Sequence, residues 1–205
     1  MKLIFLCFLR ARTPLLLLTL SVLALQGCSS FYVDGTTKEI PISQYRHAEP
    51  IHPVQLLFEF QTKGVTNAVA TDFLKKSVIE QVDSSGLFSM VSEEPVAGGA
   101  LLGITLNNVP VDDDAFSKGF VTGLTFGLAG SKVTDGYICS ATYSDGTNAQ
   151  PIVKRARHAI HTTIGASKAP GNAVKADNLE QAVKLMTRQI ISNVLNDLSS
   201  DVVFK

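Results

Sequence analysis

Residues 53–62 read PVQLLFEFQT. Val54, Leu56, Phe58 and Phe60 alternate with Gln55, Leu57, Glu59 and Gln61, a period of two that predicts a strand with one buried face. Downstream, the period changes. Thr66 or Asn67 supplies a helix cap, Val69, Phe73, Val78 and Val82 form a helical stripe, and Gly86 supplies a stop. Leu87–Val91 is a short apolar return, and from Gly99 onward Leu102, Ile104 and Leu106 mark a second strand.

Two further strands are expected at Gly136–Tyr143 and Pro151–Ile164, joined by SDGTNAQ with its Asp145-Gly146 turn signal. In the later strand Ile152, Ala156, Ile160 and Ile164 share one face, while Arg155, Arg157 and His161 share the other and make the most basic surface of the chain. Near the end, Asp177 and Glu180 have the spacing of a capping box. Leu179, Val183, Met186, Ile190, Val194 and Leu198 then outline a long amphipathic helix. The expected fold class is α+β: a two-layer sandwich of about four strands with two amphipathic helices on one face, in the order β-α-β-(apolar insert)-β-β-α.

The insert is GFVTGLTFGLAGS, residues 119–131, without a charge and with Gly119, Gly123 and Gly127 every fourth residue. As a helix, 13 residues rise only about 20 Å, short of a hydrocarbon core of about 30 Å, so it does not span a bilayer. Both periods fit it. As a strand, Phe120, Leu124, Phe126 and Leu128 share a face. As a helix, the glycines form a stripe with Phe120, Leu124 and Leu128 beside it. A short helix or hairpin is expected, with Phe120, Leu124, Phe126 and Leu128 as the candidate contact with a membrane or a partner.

The chain opens MKLIFLCFLRARTPLLLLTLSVLALQGCSS. Lys2, Arg10 and Arg12 precede an apolar run, Pro14 to Leu25, too short for a span, which is the build of a secretory signal peptide. Leu25-Gln26-Gly27-Cys28 resembles the bacterial lipobox. That resemblance implies cleavage after residue 27 and an acylated Cys28, carrying a diacylglyceryl thioether and an amide-linked acyl chain such as palmitate. Two or more chains hold a protein on a membrane, at about 0.8 kcal/mol per buried methylene. Ser29, where an aspartate would mark inner-membrane retention, points to the outer membrane of a Gram-negative bacterium, facing the periplasm. Residues 28–53 are polar and broken by Gly35, Pro41, Pro50 and Pro53, and are expected to form a flexible tether, with Phe31 and Tyr32 near the headgroups. Residues 54–205 then form one periplasmic domain.

Loss of residues 1–27 removes Lys2, Arg10 and Arg12 from 18 basic residues and nothing from 18 acidic ones, which leaves a net charge of −3. Such a body lacks the basic footprint of a nucleic-acid binder. Of the cysteines at 7, 28 and 139, the first leaves with the signal peptide and the second is acylated, so Cys139 is expected as a buried small hydrophobe on a strand.

Candidate chemistry is sparse. His158 and His161 stand three apart on a strand and point to opposite faces, a poor basis for sharing a metal. Asp112-Asp113-Asp114 lacks the ligand spacing of a calcium loop. Neither a glycine-flanked serine elbow nor a phosphate-cradling loop occurs. No catalytic residue, metal or cofactor is therefore assigned.

The alternating strand that leads into a helix ending in GLFSMV before a further strand, over residues 54–109, is similar to small envelope lipoproteins of the LpoB, CsgG and TolB amino-terminal type. It also looks like the accessory lipoproteins of lipid-exporting transporters. The resemblance implies an adaptor, not an enzyme. The expected function is a non-enzymatic, membrane-anchored lipoprotein that docks an envelope protein machine. The alternative is an accessory in lipid transport or membrane remodelling that contacts acyl chains through residues 119–131, and a hydrolase with unrecognised residues is the third reading.

Overall fold

The computed structural model describes residues 29–110, 131–147, 150–165 and 167–204. Among the described residues an eight-stranded sheet carries two helices, an α+β fold. The strands are β1 (Ser29–Val33), β2 (Pro53–Thr62), β3 (Val65–Thr66), β4 (Met90–Ser92), β5 (Leu101–Pro110), β6 (Ser131–Ser144), β7 (Ile152–Ile164) and β8 (Val174–Ala176). The helices are α1 (Ala68–Ser84) and α2 (Leu179–Ser199). The sheet order is β3-β2-β5-β6-β7-β1-β8, with β4 pairing with β2 off that path.

The strand at residues 53–62 forms as its alternation predicts. Val54, Leu56, Phe58 and Phe60 are buried, and β2 runs parallel to β5 with Leu56 opposite Leu102 and Phe60 opposite Leu106. A parallel pair needs a long crossover, which α1 provides. From β5 onward the pairing is antiparallel, through β6 to β7.

Both helices cover one face of the sheet. α1 packs on β2, α2 packs on β7, β6 and β1, and the helices touch each other. The core lies between these layers, with Leu102, Ile104, Leu106, Cys139, Ala141 and Ile160 from the strands against Leu74, Val78, Met186, Ile190 and Leu195 from the helices.

The expected four strands underestimate the sheet. The additional ones, β1, β3, β4 and β8, have two to five residues each, too few to display a period. The most consequential is β1. Residues expected in a flexible tether instead pair antiparallel with β7, Ser29 opposite Ile164 through Val33 opposite Ile160, and on the other side with β8. Phe31 packs against the core and is not free for a headgroup layer.

Residues 34–46 continue as a strap fastened across α2, with a 3-10 turn at Ile42–Gln44. Ile40 N–H donates to Ser192 Oγ at 2.9 Å, Tyr45 Oη donates to the Ser192 carbonyl at 3.1 Å, and Arg46 N–H donates to Ser199 Oγ at 3.1 Å. Pro41 therefore belongs to a bound strap, and backbone polar groups find side-chain partners there.

Two helix details differ from the expected pattern. In α1 the buried line is Leu74, Val78 and Val82, whereas Val69 is 81% exposed and Phe73 is 43% exposed. The helix is rotated so that Leu74 meets the sheet, and Phe73 lies beneath the Lys184 ammonium, 5.0 Å from the ring centre. In α2 the cap is Asn178, which accepts from Gln181 N–H at 2.9 Å, and the Gln181 side chain reaches back to Asp177 N–H. The box is one residue later than the Asp177–Glu180 spacing suggests. Asn67, as expected, caps α1 by accepting from Ala70 N–H at 3.1 Å.

Candidate functional site

The strap, α1 and α2 enclose a groove of about 340 Å³. Ile40, Ile42 and Tyr45 line it from the strap, Ser77, Glu80 and Gln81 from α1, and Lys184, Thr187 and Arg188 from α2. Its walls are cross-braced. Arg188 Nε contacts Glu39 Oε1 at 2.8 Å, Asn193 Nδ2 donates to the Lys38 carbonyl at 2.8 Å, and Gln81 Nε2 donates to the Arg188 carbonyl at 2.8 Å. Burial, aided by the charge of Glu39, pushes the Tyr45 phenol up to about 12, so Tyr45 stays a neutral hydroxyl.

Among the described residues, Thr187 Oγ1 is the buried side-chain polar atom that lacks a hydrogen-bond partner, and Thr187 is only 3% exposed. Acidic Glu39 and Glu80 face basic Lys184 and Arg188 across the groove, beside the apolar surface of Ile40 and Ile42. Mixed charge next to apolar surface suits recognition of a polypeptide segment. It holds no nucleophile paired with a base.

The basic face expected on β7 is only partly a surface. Arg155 and Arg157 are exposed, but His161 is 4% exposed. The cause is β1: once it lies beside β7, the turn after it carries Asp34 over the imidazole. His161 Nε2 contacts Asp34 Oδ2 at 3.1 Å, and Nδ1 contacts Thr134 Oγ1 at 2.9 Å. Asp34 also accepts from Thr36 N–H at 2.8 Å and from the Thr36 hydroxyl. Burial works against the Asp34 charge, but the hydrogen bonds from His161 and Thr36 outweigh it and hold the carboxyl at about 2. Asp34 is thus an anion at any ordinary pH.

Hydroxyl, imidazole and carboxylate in sequence invite comparison with a catalytic relay. In a relay the hydroxyl attacks the substrate carbonyl while the imidazole takes its proton and passes it to the leaving group, so both must be open to substrate. Here His161 is only 4% exposed, and its bonds to Asp34 and Thr134 form a latch that ties the turn after β1 to β7 and β6.

His158 points to the opposite face. Its Nδ1 accepts from Ala159 N–H at 2.9 Å, which leaves Nε2–H to donate to Gln189 Oε1 at 2.7 Å. Burial lowers its pKa. The two histidines therefore serve separate networks. Cys139 is fully buried and burial pushes its thiol up to about 12.

Cys28, Phe120, Leu124, Phe126 and Leu128 lie outside the described residues, as do Asp112-Asp113-Asp114. Of the insert, Ser131 alone is described, as the first residue of β6. The groove residues escaped sequence reasoning. Their signal is the pair of hydroxyls, Thr187 and Ser192, on the buried side of α2, where an uninterrupted apolar stripe would otherwise stand.

No protein-family model and no curated protein matches the sequence. Among solved structures, the chain is similar to a crystal structure described as a neuraminyllactose-binding hemagglutinin homolog from Helicobacter pylori. The match has 15% identity and a TM-score of 0.46, and covers 78% of this chain and 90% of that one. A likeness of that degree bears on neither the function nor the site.

Proposed function

We infer that the protein is a non-enzymatic envelope lipoprotein, anchored through an acylated Cys28 to the outer membrane of a Gram-negative bacterium, whose periplasmic domain docks a protein partner. The observation that carries this reading is Leu25-Gln26-Gly27-Cys28 at the end of a signal-peptide pattern. The braced groove between α1 and α2, with its mixed charge, supports it as a place for a partner segment. So does the similarity of residues 54–109 to envelope adaptors of the LpoB, CsgG and TolB amino-terminal type.

Cys28→Ala tests the anchor: the variant should move from the membrane fraction to the soluble periplasm. Retention at the wild-type level would refute acylation at Cys28. Crosslinking in intact envelopes tests docking. A discrete protein adduct should form with the wild type and fade when Glu80→Lys and Arg188→Glu are introduced together. Recovery of this chain alone would refute the adaptor role.

A second reading, contact with acyl chains in lipid transport or membrane remodelling, is favoured by the register of the sheet. Ser29 and Ser131 both stand opposite Ile164, on either side of β7, so the residue after Cys28 and the last residue of the insert belong to one end of the sheet. Leu124→Asp with Phe126→Asp should then abolish vesicle association of the non-acylated chain, and unchanged association would remove this reading.

A further inference from the structure

The first residue after Cys28 is already in the sheet. β1 starts at Ser29 and is paired on both sides, to β7 and to β8. Consecutive Cα atoms are about 3.8 Å apart, so Cys28 is one residue step from a hydrogen-bonded strand. A free linker of 25 residues would have a root-mean-square reach of about 25–30 Å. Here the chain that was to supply it is spent on β1 and on the strap fastened to Ser192 and Ser199.

We propose that the domain rests directly on the lipid surface, seated on the end of the sheet formed by the start of β1, the start of β6 and the end of β7. This rests on acylation of Cys28. The occupant of that end is the bilayer into which the acyl chains insert, because a residue bonded to Ser29 cannot enter a membrane while this end stands away from it. The side chains at that end fit. Ile164 is 42% exposed and Val133, in the register pair beside Thr162, is 48% exposed, apolar groups at a position that otherwise faces water.

The seating sets a direction. Lys154 lies ten residues before Ile164 on β7, roughly 33 Å along the strand at about 3.3 Å per residue. It ion-pairs with Asp201 at 2.7 Å, so the chain end beyond α2, including Val202, lies at the far side. A partner must therefore come within roughly 40 Å of the bilayer to reach this domain.

The test uses the full-length acylated protein in phosphatidylethanolamine–phosphatidylglycerol vesicles doped with headgroup-spin-labelled lipid. Ile164→Cys and Val202→Cys, made separately, take a thiol-reactive fluorophore, with Val133→Cys as a second reporter of the seated end. Cys139 is buried and stays unlabelled. The expected result is at least twofold quenching at positions 164 and 133 with none at position 202. Equal quenching at both ends, or none at either, in a sample whose mass includes the acyl groups on Cys28 would overturn the seating and leave the anchor standing. A Cys28 without acyl mass in a membrane-bound sample would overturn both.

Discussion

Replacing Asp34 by asparagine removes the charge of the latch and keeps its shape. In the wild type the carboxyl is held at about 2 instead of the usual 3.8. At about 1.4 kcal/mol per pKa unit this linkage corresponds to roughly 2 kcal/mol of stability, an upper figure given some screening by solvent. Because the folded pKa is depressed, the contribution is full above pH 3.8 and disappears as pH falls through about 2. The asparagine amide keeps only one acceptor oxygen, so it can accept from His161 or from Thr36 N–H but not from both as the two carboxylate oxygens do.

Urea unfolding of the chain from residue 28, with Cys28→Ser to keep it in solution, should place Asp34→Asn about 2 kcal/mol below the wild type at pH 7. That corresponds to a Tm lower by about 4–8 °C for a domain of this size. The gap should close as pH is lowered from 4 to 2. A loss under about 0.5 kcal/mol at pH 7, or a gap that persists unchanged to pH 2, would refute the latch.

Three further outcomes follow from the packing. Asn178→Ala should cost about 1 kcal/mol as a lost helix cap, whereas Asp177→Ala should fall within about 0.5 kcal/mol of wild type by the same unfolding assay. Leu74→Ala, at a fully buried site under β2, should cost about 2–5 kcal/mol, while Val69→Ala on the exposed side of α1 should change little. Cys139 should resist alkylation at pH 8 in the native protein and react fully in denaturant, since burial keeps it a thiol; rapid native modification would contradict its placement.

The long elements were readable because each repeats its period often enough to declare a face. β2, β5 and α2 span 10 to 21 residues, and their buried positions follow the alternation or the helical stripe, whereas β7 is buried without a break from His158 to His161 and leaves Ile164 exposed. In α1 the choice between Phe73 and Leu74 as the inward residue depends on where the sheet lies, which no local pattern contains. β1 offers only Phe31 and Val33 as inward residues, and the proline-containing stretch after it resembles a linker until the hydroxyls of α2, some 150 positions away, are seen to accept from Ile40 N–H and Arg46 N–H. His161 sits on the face that the alternation gives it, but that face is buried there and not in water. Its partner Asp34 is 127 positions distant, and a pairing across that span has no local sequence signature. For the same reason the groove, assembled from three separated segments, was not legible, although Thr187 and Ser192, which line it, interrupt the apolar stripe of α2.

Acylation of Cys28 requires the processed chain to begin at that residue. Intact-mass and amino-terminal peptide analysis of the protein extracted from whole cell envelopes tests this directly. The prediction is a chain that starts at Cys28 and carries a diacylglyceryl group and an amide-linked acyl chain. An unmodified Cys28, or a chain that retains residues 1–27, would contradict it.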